Sequence, residues 1–179
     1  MKPKVVKSES LLETPYFGIK RERLLWPGGF EHDMYFMDAG QPYVIVIVIR
    51  DRRILLVSQY RHVSECRSIE FPLGVAEPGA LIEAAAAREL EEETGMRAGF
   101  FICLGSFFPS IGRQRSRGFV FLAGDVTQGR RKRDETEMDI EVEWLYLSDW
   151  KKAIREGRII AGDTLVAWTL YVMKKDVGL

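Results

Sequence analysis

The chain has few of the residues that build disulfide frameworks or histidine metal sites. Among its 179 residues, Cys66 and Cys103 are the only cysteines, and they lack CxxC spacing. Two cysteines are too few for a disulfide scaffold, so we expect reduced thiols and a cytoplasmic protein. The only histidines, His32 and His62, lack metal-ligand spacing, so we expect both to be structural or surface residues.

Net charge and long apolar runs are also missing. Lys and Arg number 26, as do Asp and Glu, so the formal net charge is zero. Because this balance gives no overall attraction to nucleic acid or to an anionic membrane, neither is expected as a partner. The longest apolar run, residues 43–49, is far too short to cross a bilayer, and residues 1–12 lack the apolar core of a signal peptide.

The chain does contain enough apolar residues for one well-buried core, since 46% of its residues are hydrophobic. Short alternating stretches within the first forty residues, such as 19–26 and 34–37, predict a β-arm of two or three strands. Pro42 marks the end of this region. We therefore predict an N-terminal β-arm over residues 1–41, used for dimerisation and substrate contacts, and a catalytic domain over residues 42–179.

The remainder of the chain combines strand and helix patterns without an internal repeat. The predicted strands are 43–49 and 54–60, joined as a hairpin, and 100–108, 118–123 and 141–147. The predicted helices are 81–94, 149–156 with Ser148 as its N-cap, and 164–174. Residues 128–137 are predicted to form a polar, mobile loop. Periodicity by itself supports only a mixed α and β domain.

The strongest chemical signal is the acidic cluster on the helix predicted over residues 81–94. At about 100° per residue, Glu89, Glu92 and Glu93 share one helix face, whereas Glu91 points nearly opposite. Carboxylates about 4 Å apart repel by about 1 to 4 kcal/mol per pair, so a soluble helix has reason to disperse them. A divalent ion removes this conflict, because Mg²⁺ and Mn²⁺ prefer carboxylate oxygens and leave positions for a polyphosphate.

A Glu-rich helix can instead be only a solvated acidic face, but the neighbouring residues favour a metal site. The alanines at 84–87 make one side of the helix thin enough to lie against a sheet. A Pro-Gly pair at 78–79 predicts a sharp turn into the helix. Arg88, four residues before Glu92, is placed to orient the carboxylates.

This segment resembles the Nudix box of Nudix hydrolases, Gly-x5-Glu-x7-Arg-Glu-U-x-Glu-Glu-x-Gly-U, where U is a bulky aliphatic residue. The matching residues are Gly74, Arg88, Glu89, Leu90, Glu92, Glu93, Gly95 and Met96. Ala80 stands where the box has its first glutamate. In the family that glutamate supports the loop and helix more than it holds the metal, so the resemblance implies that the metal site survives.

The resemblance extends beyond the box. Residues 54–79 are similar to the LLV, QYR and PAG run of the ADP-ribose pyrophosphatase branch, which also handles other nucleoside diphosphate sugars. Residues 134–159 resemble the acidic loop, strand and following helix of that branch. The fold that this implies is an α/β Nudix α/β/α sandwich with a mixed sheet, preceded by the β-arm.

The resemblance also implies the catalytic groups. The expected metal ligands are Glu89, Glu92, Glu93 and the backbone carbonyl of Leu73, around Mg²⁺ with Mn²⁺ as an alternative. Arg88 would hold the acids in place rather than touch substrate. A glutamate of the late acidic loop, Glu135 first and Glu137 second, would act as the base or as a further ligand, and a purely solvated loop is the alternative.

Substrate contacts are predicted at several further positions. The candidates are Arg61, Glu70, Trp26, Phe30, Arg113, Gln114 and Arg115. Arg61 can make a bidentate contact to a phosphate, or be a surface arginine. Glu70 can contact substrate or metal, or face solvent. The two arm aromatics can stack on a nucleobase, or make core or dimer contacts. Arg113, Gln114 and Arg115 lie in the loop where the ADP-ribose pyrophosphatase branch has an acid that contacts substrate.

The resemblance implies Mg²⁺-dependent hydrolysis of the pyrophosphate bond in a nucleoside diphosphate sugar, ADP-ribose or a relative such as GDP-mannose. The products would be a nucleoside monophosphate and a sugar phosphate, and the arm suggests a homodimer whose chains complete each other's sites. One alternative is a nucleoside triphosphate or capped-RNA pyrophosphohydrolase. Another is a non-catalytic Nudix-fold nucleotide sensor, which Ala80 favours and the retained helix acids disfavour.

Overall fold

A computed structural model describes residues 1–129, 131 and 139–176 of the chain. It divides into two compact units. The arm unit comprises Met1–Pro42 and Phe108–Arg117, and the main unit comprises Tyr43–Phe107 and Gly118–Leu179. The arm unit thus includes a segment from the middle of the chain as well as the N-terminal region.

The arm unit is a four-stranded sheet. Strands β1 (Lys4–Glu13), β2 (Gly18–Leu25) and β3 (Glu31–Asp38) are antiparallel, and the short β10 (Gln114–Arg115) runs parallel to β3. Gly28 and Gly29 adopt positive φ in the turn between β2 and β3, a conformation that glycine adopts without strain. The predicted arm of two or three strands is confirmed. The fourth strand of its sheet, β10, was not predicted.

The main unit is built on a mixed sheet. Its strands are β4 (Tyr43–Arg50), β5 (Arg53–Arg61), β6 (Cys66–Glu70), β7 (Leu73–Val75), β9 (Phe100–Phe107), β11 (Gly118–Gly124) and β13 (Glu141–Tyr146). The order is β13-β5-β4-β11-β9, with β6 paired to β5 and β7 paired to β4. Strand β11 is parallel to β4. The short strands β8 (Met96–Arg97) and β12 (Thr127–Gln128) form a separate ladder.

The predicted hairpin of β4 and β5 is present, but its strands pair only beside the turn. The paired residues are Ile49 with Ile54 and Arg50 with Arg53. Farther from the turn β4 pairs with β7 and β11, while β5 pairs with β6 and β13. Because β4 and β5 separate, β7 can pair with β4. Strand β7 is followed by the loop that contains Gly79 and precedes the first helix.

Helices cover both faces of β4. They are α1 (Ile82–Thr94), α2 (Trp150–Arg155) and α3 (Gly162–Asp176). One core cluster contains Val44, Val46 and Val48 with Ala85, Ala86 and Leu90 of α1. The other contains Tyr43, Ile45 and Ile47 with Trp150 of α2 and Ala167 of α3. Because alternate residues of β4 enter different clusters, the strand is buried on both sides, and the predicted α/β/α arrangement is confirmed.

The three helices form where predicted, with bounds that differ by at most two residues at each end, and one predicted cap is absent. Gly95 has φ 73° and its N–H donates to Glu91 O at 2.8 Å, which is a left-handed C-cap of α1. The prediction that Ser148 is the N-cap of α2 is wrong. Leu147–Asp149 form a 3-10 turn, so α2 begins at Trp150 and has no side-chain cap. Ser148 Oγ instead donates to Asp149 Oδ1 at 3.5 Å.

Among the helices that the structure describes, none is both long enough and apolar enough to span a membrane.

Replacing Leu56 by alanine should destabilise the protein strongly, because this side chain is 0% exposed in the core beneath the sheet. We expect the free energy of unfolding to fall by about 2–5 kcal/mol, the usual cost of a buried leucine cavity. Urea denaturation followed by tryptophan fluorescence measures it. Leu81→Ala is the matched control, since Leu81 is 78% exposed. Equal losses in both variants would contradict the core assignment.

Candidate active site

The acidic helix α1 lies against the backbone of β7 because position 74 carries no side chain. Gly74 pairs with Val44, and a Cβ at Gly74 would overlap the carboxylate of Glu89. The glycine is therefore required for space, and its backbone conformation is not unusual. This close approach brings the strand and the first acid of the cluster together.

Two carboxylates of α1 are buried. Glu89 is 6% exposed and Glu93 is 4% exposed. The backbone N–H of Leu73 donates to Glu93 Oε2 at 3.2 Å. Burying a carboxylate without hydrogen-bond partners is costly, so this bond offsets part of the cost for Glu93. It also holds the end of β7 beside the second acid.

Arg88 connects the acids to the loop. Its NH2 group donates to Glu89 Oε1 at 2.6 Å and to Val75 O at 2.8 Å, and its NH1 group donates to Glu92 Oε2 at 2.6 Å. Arg88 thus contacts both acids and the loop, and its predicted role of holding the acids in place stays a prediction. The pair with Glu92 is an i,i+4 ion pair along the helix.

The expected meeting of three carboxylates is not found. Glu92 turns toward Arg88, and no group of three or more His, Cys, Asp or Glu residues suited to a metal ion occurs among the described residues. Glu89 and Glu93 still suit a hard divalent ion, because Mg²⁺ commonly takes only one or two carboxylates and fills its other positions with waters and phosphates. The chemistry of the residues present therefore fits such an ion, with the two buried acids Glu89 and Glu93 as candidate ligands.

A cleft of about 560 Å³ opens beside this cluster, within the size range of small-molecule sites. Arg61, Glu70, Leu73 and Asp163 are among its lining residues. Leu73 links the cleft to the acids, because the same residue lines the cleft and donates to Glu93. Leu73 therefore connects the lining of the cleft to the acidic helix within the main unit.

Arg61 and Glu70 form a bidentate ion pair in this cleft. Arg61 Nε donates to Glu70 Oε1 at 3.0 Å, and Arg61 NH2 donates to Glu70 Oε2 at 2.5 Å. The hydrogen bond to Glu70 raises the pKa of Arg61, and the charges of Glu70 and Glu93 add to this effect. Glu70 is buried, so the alternative in which it faces solvent is wrong. A bidentate phosphate contact from Arg61 would have to use its remaining NH1–NH2 edge.

Asp163 is a member of the site that the sequence did not identify. It lies in the first turn of α3, and Tyr43 Oη donates to its Oδ1 at 3.1 Å. Burial raises the pKa of the Asp163 carboxyl, and the nearby charge of Glu70 raises it further. Burial also raises the pKa of Tyr43. An aspartate at a helix start is common in any protein, so the sequence held no signal for its place in the cleft.

The remaining candidates lie in the arm unit or outside the described residues. Arg113, Gln114 and Arg115 line a second cleft, of about 470 Å³, in the arm unit. Arg115 NH2 donates to Glu22 Oε1 at 3.0 Å. Trp26 and Phe30 flank the β2–β3 turn, and Phe30 is 66% exposed, which excludes a core position for it.

Glu135, Glu137 and most of the predicted mobile loop lie outside the described residues. His62 lines the main cleft, and His32 is exposed.

Comparison with known proteins identifies the family. Residues 40–162, more than half of the chain, match the model of the NUDIX domain. The chain belongs to the Nudix family. The prediction of a Nudix hydrolase is thereby confirmed at the level of the family.

Individual Nudix relatives and one solved structure agree with this assignment. A CMP-5'-(N-acetyl-N-hydroxy-3-aminopropyl)phosphonate hydrolase of Streptomyces rubellomurinus is 30% identical over 142 residues, which are 78% of this chain and 68% of that protein. An ADP-ribose pyrophosphatase of Bacillus subtilis is 27% identical over 169 residues, 93% of this chain and 91% of that protein. A crystal structure described as an ADP compounds hydrolase superposes with a TM-score of 0.88 at 21% identity, covering 99% of this chain and 97% of that one.

These relatives confirm the resemblance to the ADP-ribose pyrophosphatase branch of the Nudix family. The solved structure, at 21% identity, supports only the assignment of the fold.

The turn before α1 is closed here without a glutamate at position 80. Ala80 N–H donates to Glu77 O at 3.0 Å, which closes the turn before α1. Arg88 binds Val75 O, and its Nε lies 3.8 Å from Glu77 Oε1. The loop is therefore tied to the helix through Arg88 and Glu77.

Replacing Gly74 by alanine should impair activity far more than stability. The new Cβ would displace the Glu89 carboxylate, which is the flexible end of a side chain and can move at small cost to folding. We expect a loss of turnover of at least about 10²-fold, the scale for losing one preorganised electrostatic group. Steady-state kinetics beside thermal unfolding measures both quantities.

Gly112→Ala is the matched control for this change, because a Cβ at Gly112 meets open space. An active Gly74→Ala enzyme would show that the position of Glu89 does not matter to the reaction.

Proposed function

We propose that this Nudix hydrolase splits the pyrophosphate bond of a nucleoside diphosphate sugar, with ADP-ribose as the first candidate and GDP-mannose as a further one. The products are a nucleoside monophosphate and a sugar phosphate. The observation that carries the proposal is the direct link between the cleft and the buried acids, since Leu73 lines the cleft and donates to Glu93. The likeness to the B. subtilis ADP-ribose pyrophosphatase over 93% of the chain supports the choice of substrate.

Pyrophosphate hydrolysis requires a water to attack phosphorus while negative charge grows on the bridging oxygen. When bound, Mg²⁺, or Mn²⁺ in its place, supplies neutralisation of that charge and a more acidic water. Glu89 and Glu93 are the proposed ligands, with the Leu73 carbonyl as a third. Glu92 remains a predicted ligand, although its contact with Arg88 supports a positioning role.

The protein's own side chains orient these groups. Arg88 restrains Glu89 through one hydrogen bond and the loop through another, so that the carboxylate is held before substrate arrives. Arg61 offers the edge that Glu70 does not occupy to a phosphate oxygen. Glu135 and Glu137 remain the predicted bases.

The arm is proposed to contact the nucleotide and to form a homodimer. Trp26, Phe30 and the loop residues Arg113, Gln114 and Arg115 are the predicted substrate contacts. Exposed apolar residues on the edge strand β1, including Val5 and Leu12, support an association surface. The division into an arm of residues 1–41 and a domain of residues 42–179 stays a prediction, and so does the cytoplasmic location.

A panel of substrates tests the reaction. With Mg²⁺ present, we expect release of AMP and ribose 5-phosphate from ADP-ribose, and loss of that activity when EDTA removes the metal. Chromatography of the products distinguishes the alternatives. Release of pyrophosphate from nucleoside triphosphates or capped RNA would favour the second enzymatic function. Tight binding of a nucleotide without any turnover would favour the sensor.

Replacing Glu93 by glutamine should lower turnover of the preferred substrate by at least about 10²-fold with the fold intact. The amide removes the negative charge of a buried ligand while keeping its size. Glu83→Gln is the matched control, because Glu83 is an exposed acid in the first turn of the same helix. Kinetics with circular dichroism measures the two effects, and full activity in the Glu93 variant would remove this residue from the site.

A further inference from the structure

The main cleft contains one charged group that the proposed reaction does not use. Asp163 lines the cleft together with Arg61 and Glu70. Its position is well defined, because Tyr43 Oη donates to Asp163 Oδ1 at 3.1 Å. The next residue, Thr164, accepts a hydrogen bond from the backbone N–H of Phe71 at 3.2 Å. These bonds fix the start of α3 against the end of β6 and the start of β4.

The charges of the cleft lining indicate what this end of the cleft can bind. Among the described residues, Arg61, Glu70 and Asp163 are the charged side chains of the lining, with the histidine taken as neutral. Glu70 neutralises Arg61 through a bidentate ion pair, so Asp163 leaves the lining with a net negative charge. A bare phosphate would be repelled by Asp163, whereas hydroxyl groups donate readily to a carboxylate.

The carboxylate has capacity for such donors. Two carboxylate oxygens offer about four acceptor positions, and the Tyr43 hydroxyl uses one of them. A nucleoside diphosphate sugar carries vicinal hydroxyls on its sugars and no other uncharged group so rich in donors. The cleft volume of about 560 Å³ admits a sugar phosphate.

We infer that Asp163 is a specificity residue that accepts hydrogen bonds from the vicinal hydroxyls of a substrate sugar bound in this cleft. The inference rests on the proposed function, which supplies the sugar phosphate. Arg61 and the metal-binding acids then face the phosphates, and Asp163 faces the sugar. The hydroxyls belong either to the terminal sugar or to the nucleoside ribose.

A purely structural role is the competing explanation, because Asp163 also anchors α3 through Tyr43. Two variants separate the roles. Asp163→Asn keeps an oxygen that can accept from Tyr43 and loses the charged acceptor for the sugar. Tyr43→Phe removes the anchor and keeps the carboxylate. A sugar-binding role predicts that the asparagine variant weakens sugar binding, whereas an anchoring role predicts that only the phenylalanine variant has an effect.

Calorimetric titration of the full chain with ribose 5-phosphate and, separately, with AMP tests the inference. We expect Asp163→Asn to weaken the affinity for one of these ligands by at least about tenfold, the scale of losing a hydrogen bond to a charged group. A loss of affinity for ribose 5-phosphate would show that Asp163 binds the terminal sugar, and a loss for AMP would show that it binds the nucleoside ribose. Thermal unfolding of Asp163→Asn should remain near that of the wild type, and Tyr43→Phe should bind the affected ligand more tightly than Asp163→Asn does.

Unchanged affinity for both ligands in Asp163→Asn, or no binding of either to the wild type, would overturn the inference. Turnover is measured in parallel to keep the proposed function separate. A wild-type protein that does not hydrolyse ADP-ribose but binds ribose 5-phosphate through Asp163 would refute the proposed function and leave this inference standing. Hydrolysis of ADP-ribose with equal kcat/KM in wild type and Asp163→Asn would support the proposed function and refute this inference.

Discussion

The burial of two carboxylates between α1 and the end of β7 is the constraint on which the site depends. A desolvated carboxylate is costly unless it is hydrogen-bonded and paired. Arg88 supplies a charged donor to Glu89, and the Leu73 N–H supplies a donor to Glu93. Gly74 leaves the space that Glu89 occupies. The box residues therefore act together as one arrangement for holding negative charge beside a cleft.

The topology of the sheet brings the cleft to those charges. Strands β4 and β5 separate beyond their turn, so that β7 pairs with β4 while β6 pairs with β5. Glu70 ends β6 and Leu73 begins β7, which places the ion pair with Arg61 close to the Leu73–Glu93 bond. Helix α3 packs on the opposite face of β4 from α1 and presents Asp163 to the same cleft. The site thus joins groups supported by both helical layers.

Much of the fold could be predicted because its signals are local. The buried strand β4 is a continuous apolar run, and α1 combines four alanines with three acids that share one face. The wrong prediction of a helix cap has a local cause as well. Ser148 fell within a 3-10 turn, which moved the start of α2. The helical angle places Glu92 on the same face as Glu89, and in the structure Arg88 forms ion pairs with both of them.

The sequence by itself determined the family, through its resemblance to the Nudix box, and the order of most elements. It also identified the helix that carries the acids, because a spacing of three or four residues on one helix specifies which side chains share a face. Only the tertiary structure decided that Glu89 and Glu93 are buried, that Glu70 occupies one edge of Arg61, and that Asp163 belongs to the cleft. Tyr43 and Asp163 are 120 positions apart, and their contact exists only because the packing of α3 on β4 brings them together. Hydrogen-bond partners and burial of this kind arise between distant segments, so no local pattern encodes them.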